Sequence, residues 1–356
     1  MGTENGATGN GAPSGGRCRA WVAGATGFLG SHVVKALRAR GDDVVSISRG
    51  GSPDGTVQAV DVLDVEAVKA SATGTEVAYV AAGKVSRQRD ASEELYRLHV
   101  IGTKNVLAGL RAAGVKRVVF ASTSGTLAVG TDPHRIADEG CRAPLELVAR
   151  WPYYRTKLYG EREALAANVP GEFEVVVVNP SLLLGPGDLR ESSTEDVRKF
   201  LEGSIPASSA GGLSFVDVRD AALGMLLAAD RGRAGERYIL NAQNLTVQAF
   251  FQRLSRISGV PAPLLKLPSS RPLALGIGRL FASALRSIGG EPPVDEMTLE
   301  LGSYFWYADS AKAERELGFR PRDPGETLKE TVDDLVARKV VFPKVKTPGG
   351  LRDLFP

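Results

Sequence analysis

Short apolar runs alternate with amphipathic stretches through the first half of the chain. Arg19-Ala-Trp-Val-Ala23 is an apolar run of strand length. A glycine-punctuated turn follows, and residues 31–40 then carry Val33, Val34 and Leu37 at helical spacing until Gly41 stops them. Residues 44–47, 57–60, 77–80, 115–120 and 173–178 read as further strands. Between them lie an acidic helix from Asp64, a long helix over 95–113 closed by Gly114, and a helix over 153–168. Pro152 stands at the entrance of the last, where a missing N–H costs little. Strands apolar on both faces, alternating with helices, predict a doubly wound α/β fold with a parallel sheet covered on both sides.

The pattern changes after Pro180. Loops rich in Gly, Pro and Ser give way to Leu213-Ser-Phe-Val-Asp217, a helix over 219–229, a short strand at Glu236-Arg-Tyr-Ile-Leu240, and proline-separated helices. The expected division is a dinucleotide-binding domain over 17–184, with 213–243 returning to it, and a smaller substrate-binding region over 185–212 and 244–342. In that region Ile277, Leu280, Phe281, Leu285 and Ile288 form an apolar helical stripe. Core packing is the first expectation for it. A pocket wall or a membrane contact, with Arg279 and Arg286 nearby, is the alternative.

Composition narrows the function classes. Hydrophobic residues make up 43% and charged residues 24%, and the formal net charge is +3. The basic residues are dispersed, so no nucleic-acid surface is expected. The two cysteines, Cys18 and Cys141, form no CxxC pair, and the three histidines have no metal-ligand spacing. A reduced cysteine pair and no metal site are expected. The Gly-rich, polar residues 1–16 read as a disordered tail, residues 343–356 are a C-terminal tail, and neither a signal peptide nor a spanning helix is expected. Together these features place the protein in the cytoplasm, without stable membrane insertion.

Gly24, Gly27 and Gly30 stand between the first strand and the first helix. Glycine permits the tight turn and lets a pyrophosphate approach without an intervening Cβ, while the helix N-terminus offers free N–H groups. Gly24, Thr26, Gly27, Phe28, Leu29 and Gly30 are therefore the candidate cofactor cradle. Glycines alone would suit any strand–helix turn; the strand–turn–helix context favours the cofactor. The second strand ends in Ile47-Ser48-Arg49, with no carboxylate to hold the ribose hydroxyls of NAD. Arg49 and Ser48 suit a 2′-phosphate instead, unless Arg49 is simply a solvated surface residue. NADP(H) is the expected cofactor and NAD(H) the alternative.

Tyr153-Tyr-Arg-Thr-Lys157 supplies Y-x-x-x-K. Four residues turn through roughly 400° on a helix, so Tyr153 and Lys157 share a face. A free phenol has a pKa of about 10, and a neighbouring ammonium lowers it toward useful acid–base chemistry. Tyr154 is the rival tyrosine, but Leu158 stands four residues beyond it.

The G-x-x-G-x-x-G spacing with this Y-x-x-x-K resembles the short-chain dehydrogenase/reductase superfamily, and the wording Ala-Gly-x-x-Gly-Phe-Leu-Gly resembles its extended branch, the epimerase/dehydratase family. Val178-Asn179-Pro180-Ser181, Gly185-Pro-Gly-Asp188 and Phe215-Val-Asp-Val-Arg-Asp220 carry the resemblance onward, to about residue 340. The dihydroflavonol-reductase, 3β-hydroxysteroid-dehydrogenase and hopanoid-associated relatives are the most similar within it. The resemblance implies Asp61 and Val62 beside the adenine and Ala81, Ala82 and Gly83 along the cofactor. It also implies Pro180 near the nicotinamide and Lys157 on its ribose. Thr123 takes the hydroxyl position that polarises the substrate oxygen, with Ser122 and Ser124 one register away and strand-end capping as the other role for this cluster. Two departures stand out: Ala23 replaces the usual Thr, and His99 the usual Asn. The implied activity is hydride transfer at a ketone or secondary alcohol of an apolar small molecule, with a nucleotide-sugar epimerase or dehydratase as the alternative and a cofactor-sensing protein as a third reading. Homodimerisation through the helices at 95–113 and 153–168 is expected on the same ground.

Overall fold

Ala20 and Val22 of β1 (Arg19–Ala23) bury into one hydrophobic core, Trp21 and Ala23 into another. A strand with both faces buried is central to a covered sheet. The computed structural model describes residues 18–287 and 295–345. The expected tail over 1–16, Ile288 and the C-terminal tail beyond Val345 lie outside the described residues. The strands after β1 are β2 (Asp43–Ser48), β3 (Gln58–Ala59), β4 (Val77–Val80), β5 (Arg117–Ala121), β6 (Glu174–Pro180), β7 (Leu182–Leu184), β8 (Ala207–Ser208), β9 (Gly212–Asp217), β10 (Arg237–Leu240), β11 (Gln243–Thr246) and β12 (Leu265–Lys266). Seven of them form a parallel sheet in the order β3-β2-β1-β4-β5-β6-β10. The order reverses between β1 and β4, which opens a crevice at the carboxyl ends of the strands.

The helices are α1 (Phe28–Arg40), α2 (Val65–Ala72), α3 (Ser92–Tyr96), α4 (Gly102–Ala112), α5 (Leu145–Val148), α6 (Pro152–Ala166), α7 (Glu195–Leu201), α8 (Val218–Arg231), α9 (Val247–Ser258), α10 (Arg271–Ser287), α11 (Glu296–Leu301), α12 (Ala311–Leu317) and α13 (Pro324–Ala337). α1, α8 and α12 cover one face of the sheet through Val33, Leu37, Met225 and Leu317. α2, α4 and α6 cover the other through Val68, Val106, Leu110 and Ala164. A third core gathers Leu184, Phe200, Phe215, Phe250 and Leu328 from β7, β9, α7, α9 and α13. It sits beside a smaller sheet in the order β11-β9-β7. No described helix is long and apolar enough to cross a membrane.

Two elements differ from the sequence reading. The helix expected over 95–113 is interrupted by a π turn at Arg97–Ile101, which joins α3 to α4. Its extra residue brings the His99 carbonyl against α6, where a Cβ on Gly160 would lie 2.2 Å from that oxygen. The stripe expected as core is exposed instead: Ile277 is 43% accessible, Leu280 74% and Phe281 47%. α10 turns Ala274, Gly278 and Ala282 inward because α11 approaches too closely for larger side chains. A Cβ on Gly278 would lie 2.5 Å from Leu299 Cδ1. The Leu285 side chain and Ile288 are outside the described residues.

The backbone at Gly160 leaves no room for a methyl group. Gly160→Ala is expected to cost about 1–3 kcal/mol by overpacking. A thermal melt reads the loss; an unchanged melting temperature would mean that α6 and the π turn can separate without penalty.

Candidate active site

The glycine turn is built by the sheet. The N–H groups of Gly24 and Ala25 both donate to Ile47 O at the end of β2, 3.0 Å each. Gly24 has φ +80°, and a Cβ there would meet Ala81 O at 2.8 Å and Ala82 N at 2.9 Å. A Cβ on Gly30 would lie 2.1 Å from Gly24 O. Only glycine lets β1, α1 and the end of β4 close this far. α1 starts at Gly27 with no side-chain cap and no acidic residue in its first turn. The uncapped N–H groups and the dipole end of α1 therefore suit a pyrophosphate. Thr26 is exposed on the turn, Gly27 and Phe28 are half-buried, and Leu29 is in the core.

The remaining cofactor candidates lie along the same edge. Ser48 is buried, with its hydroxyl 3.5 Å from Gly51 O, and Arg49 beside it is exposed. Arg49 makes no ion pair with any described residue. Asp61 is exposed and its carboxylate accepts from Leu63 N at 3.0 Å, while Val62 is half-buried. Ala81 and Ala82 line the turn, and Gly83 faces the His99 ring, where a Cβ would lie 3.5 Å from Nε2. These residues fit a dinucleotide laid across the switch point.

Thr123, Tyr153 and Pro180 line one cavity of about 300 Å³, together with Ser122, Ser124 and Tyr154. Lys157 stands below it: Lys157 is buried, and its Nζ donates to Ala121 O at 2.7 Å. The hydroxyls of the cluster are sorted by their partners. Ser122 Oγ donates to Glu161 Oε2 at 2.5 Å and is committed there. Thr123 Oγ1 accepts from Gly125 N at 3.3 Å, which leaves its own proton for a ligand. The Tyr154 ring lies across Gly125, where a Cβ would come within 2.3 Å of it, and stacks on Trp306 with centroids 4.7 Å apart.

The electrostatics depart from the simple expectation of a Lys157-activated phenolate. Burial, with a further push from Tyr154, holds the Tyr153 pKa well above that of a free phenol. Burial lowers the Lys157 ammonium to about 8 against the opposing pull of Glu161. Lys157 is turned to the Ala121 carbonyl and not to the Tyr153 hydroxyl.

Three groups of partners were not legible in the sequence. Glu161, one helical turn beyond Lys157, is buried and accepts from Ser122, Thr126 Oγ1 at 3.0 Å and Asn179 Nδ2 at 2.8 Å. Its other oxygen pairs with Arg237 Nη1 of β10 at 3.0 Å. Its i+4 spacing was visible, but its partners come from β5, β6 and β10. His99 Nε2 accepts from Lys84 N at 3.2 Å, so Nδ1 carries the proton and donates to Thr156 Oγ1 at 2.9 Å. Its ring meets Tyr153 edge-on, with centroids 5.8 Å apart. Arg87, in the loop after β4, grips Asp196 of α7 with two bonds of 2.9 and 2.7 Å and reaches Thr298 of α11 at 3.2 Å. Arg87, Asp196 and Lys199 are the charged residues of the cavity wall, and Lys199 pairs with Glu195 at 2.7 Å.

The sequence model described as the NAD dependent epimerase/dehydratase family matches residues 20–241. A protein named as a dihydroflavonol 4-reductase in Synechocystis sp. is 33% identical over 327 residues, 89% of this chain and 93% of its own length. The 4-hydroxy-2-methyl-3-oxo-4-farnesyl-3,4-dihydroquinoline-1-oxide ketoreductase of Stigmatella aurantiaca is 31% identical over 85% of this chain and 92% of its own length. The crystal structure of gox2253 superposes with a TM-score of 0.78 at 26% identity and covers 92% of this chain and all of that one.

Burial, reinforced by Lys157, lowers His99 from 6.5 to about 3. The folded chain keeps it neutral while the unfolded chain protonates it below about 6.5. Its contribution to stability is therefore complete above that pH and is lost as pH falls toward 3. Urea unfolding at pH 7, 5.5 and 4.5 should show a steeper acid loss for wild type than for His99→Asn. Parallel losses would mean that His99 takes up its proton within the fold.

Proposed function

The chain belongs to the NAD dependent epimerase/dehydratase family, and from that premise we propose that it is an NADP(H)-dependent reductase of a ketone carried by an apolar, ring-containing small molecule. The observation that carries this reading is the charge balance of the cavity. Its wall is mostly apolar, with Trp151, Tyr154, Phe250, Leu299 and Trp306 among its residues, and its remaining polar groups are largely neutral serine and threonine hydroxyls. Its two cations, Arg87 and Lys199, are already neutralised by Asp196 and Glu195. A nucleotide-sugar diphosphate needs unspent positive charge, whereas a neutral ring system needs apolar surface and stacking partners. The names of two relatives, a reductase and a ketoreductase, point the same way.

Bound nicotinamide supplies the hydride. The glycine turn and the α1 N-terminus would hold the pyrophosphate, and Arg49 with Ser48 would meet the 2′-phosphate. Thr123 donates to the carbonyl oxygen and fixes it beside Tyr153. Tyr153 gives that oxygen a proton, and the raised phenol pKa keeps the hydroxyl protonated for that transfer. Lys157 and Glu161 hold α6 against β5, so both hydroxyls meet the same atom. The protein is further proposed to dimerise through α3, α4 and α6, where Tyr96, Ile101 and Tyr159 are exposed. A monomer mass by light scattering would remove that pairing.

Fluorescence titration should show NADPH bound more tightly than NADH. Arg49→Ala should weaken NADPH by about ten- to a hundredfold and leave NADH nearly unchanged. NAD retained through purification, or a preference for NADH, would move the epimerase reading forward. Tyr153→Phe should keep cofactor affinity while ketone turnover falls by about 10²–10⁴. Near-wild-type turnover would displace Tyr153 from the reaction centre.

A further inference from the structure

We propose that the outward face of α10 is a docking surface for an anionic lipid bilayer, seated beside the wall of the substrate cavity. Leu273, Ile277, Leu280 and Phe281 are 56%, 43%, 74% and 47% exposed and recur at helical spacing along α10. They form an apolar stripe that faces out, while Ala274, Gly278 and Ala282 face in. The stripe belongs to no described hydrophobic cluster, and none of its four residues lines the cavity. For these four residues, both core and pocket wall are thereby removed. The approach to the helix adds Leu264 and Leu265, exposed at 90% and 67%.

The charge pattern selects the occupant. No acidic residue occurs between Arg237 and Glu291, while Arg253, Arg256, Lys266, Arg271, Arg279 and Arg286 do. Arg279 is engaged by Glu296 at 2.6 Å and Arg271 lies over the Tyr304 ring at 4.2 Å. Lys266 and Arg286 are exposed, with no ion pair to a described residue. An apolar helical face with unspent cations at both ends matches the interface of a bilayer that carries anionic headgroups. A protein partner would meet the same apolar face, but it would not require a segment with basic charge alone.

The position gives the contact a use. Gly278 seats α10 on Leu299 of α11, and Leu299 is itself part of the cavity wall. One helix thus separates the proposed bilayer contact from the cavity. An apolar ketone that partitions into lipid would be concentrated next to the site that reduces it.

The test needs no substrate, so it fails or succeeds independently of the reductase reading. Full-length protein is sedimented with vesicles of phosphatidylcholine alone and of phosphatidylcholine with phosphatidylglycerol. Binding to the anionic vesicles, weaker on the neutral ones and in high salt, is expected. Leu280→Asp should lower the partition coefficient by about tenfold or more, the loss of one buried leucine. Arg286→Ala should reduce binding to the anionic vesicles only. Both positions are exposed, and a melting curve for each variant checks that the fold is kept. Phe281→Ser is a second variant on the same face. No binding to anionic vesicles, or equal binding by wild type and both apolar-face variants, overturns the proposal. So does a wild-type dimer in sedimentation velocity that Leu280→Asp turns into monomer, if no vesicle binding accompanies it.

Discussion

Glu161 carries a charge into the interior, and the candidate site is arranged around holding it. A buried carboxylate is tolerable only when its lone pairs are met by donors and its charge by a cation. Here the donors are Ser122 beyond β5, Thr126 in the turn that follows, and Asn179 of β6, and the cation is Arg237 of β10. One side chain therefore registers α6 against three neighbouring strands. Removing a single partner of such a pair typically costs about 3–5 kcal/mol, since the other is left uncompensated. Tyr153 and Lys157 precede Glu161 on the same helix, and their placement follows from it.

That arrangement also occupies some of the polar groups near the cavity. Ser122 is spent on Glu161, and Lys157 is turned to the Ala121 carbonyl. Thr123 and Tyr153 face the cavity beside Pro180, with Ser124, Tyr154 and Ser181 also in its lining. His99 supports the tyrosine from the opposite side, with one ring nitrogen on the loop after β4 and the other on Thr156 of α6. Burial keeps this imidazole neutral, so it positions its neighbours without adding a second positive charge beside Lys157.

The substrate side follows a different principle. Charge is present but cancelled: Arg87 ties the loop after β4 to Asp196 and Thr298, and so draws α7 and α11 over the cavity. The guanidinium acts as a strut, and the wall it braces is aromatic. Apolar character continues outward through α11 to the exposed face of α10, while the basic residues stay at the polar edges.

The order of strands and helices, the glycine turn, the absence of a carboxylate after β2 and the Y-x-x-x-K face were all legible in the chain. Each rests on local periodicity or on spacing within one element, and those are properties of sequence. Thr123 was separable from Ser122 only by the partner that Ser122 takes, since adjacent hydroxyls look alike until a distant carboxylate claims one. The π turn and the Glu161 network were equally hidden, because each depends on contacts between residues far apart in the chain. The stripe on α10 shows the limit most plainly. Its periodicity announced an amphipathic helix, but periodicity has no sign, and only the close approach of Gly278 to Leu299 decided that the large apolar side chains face outward.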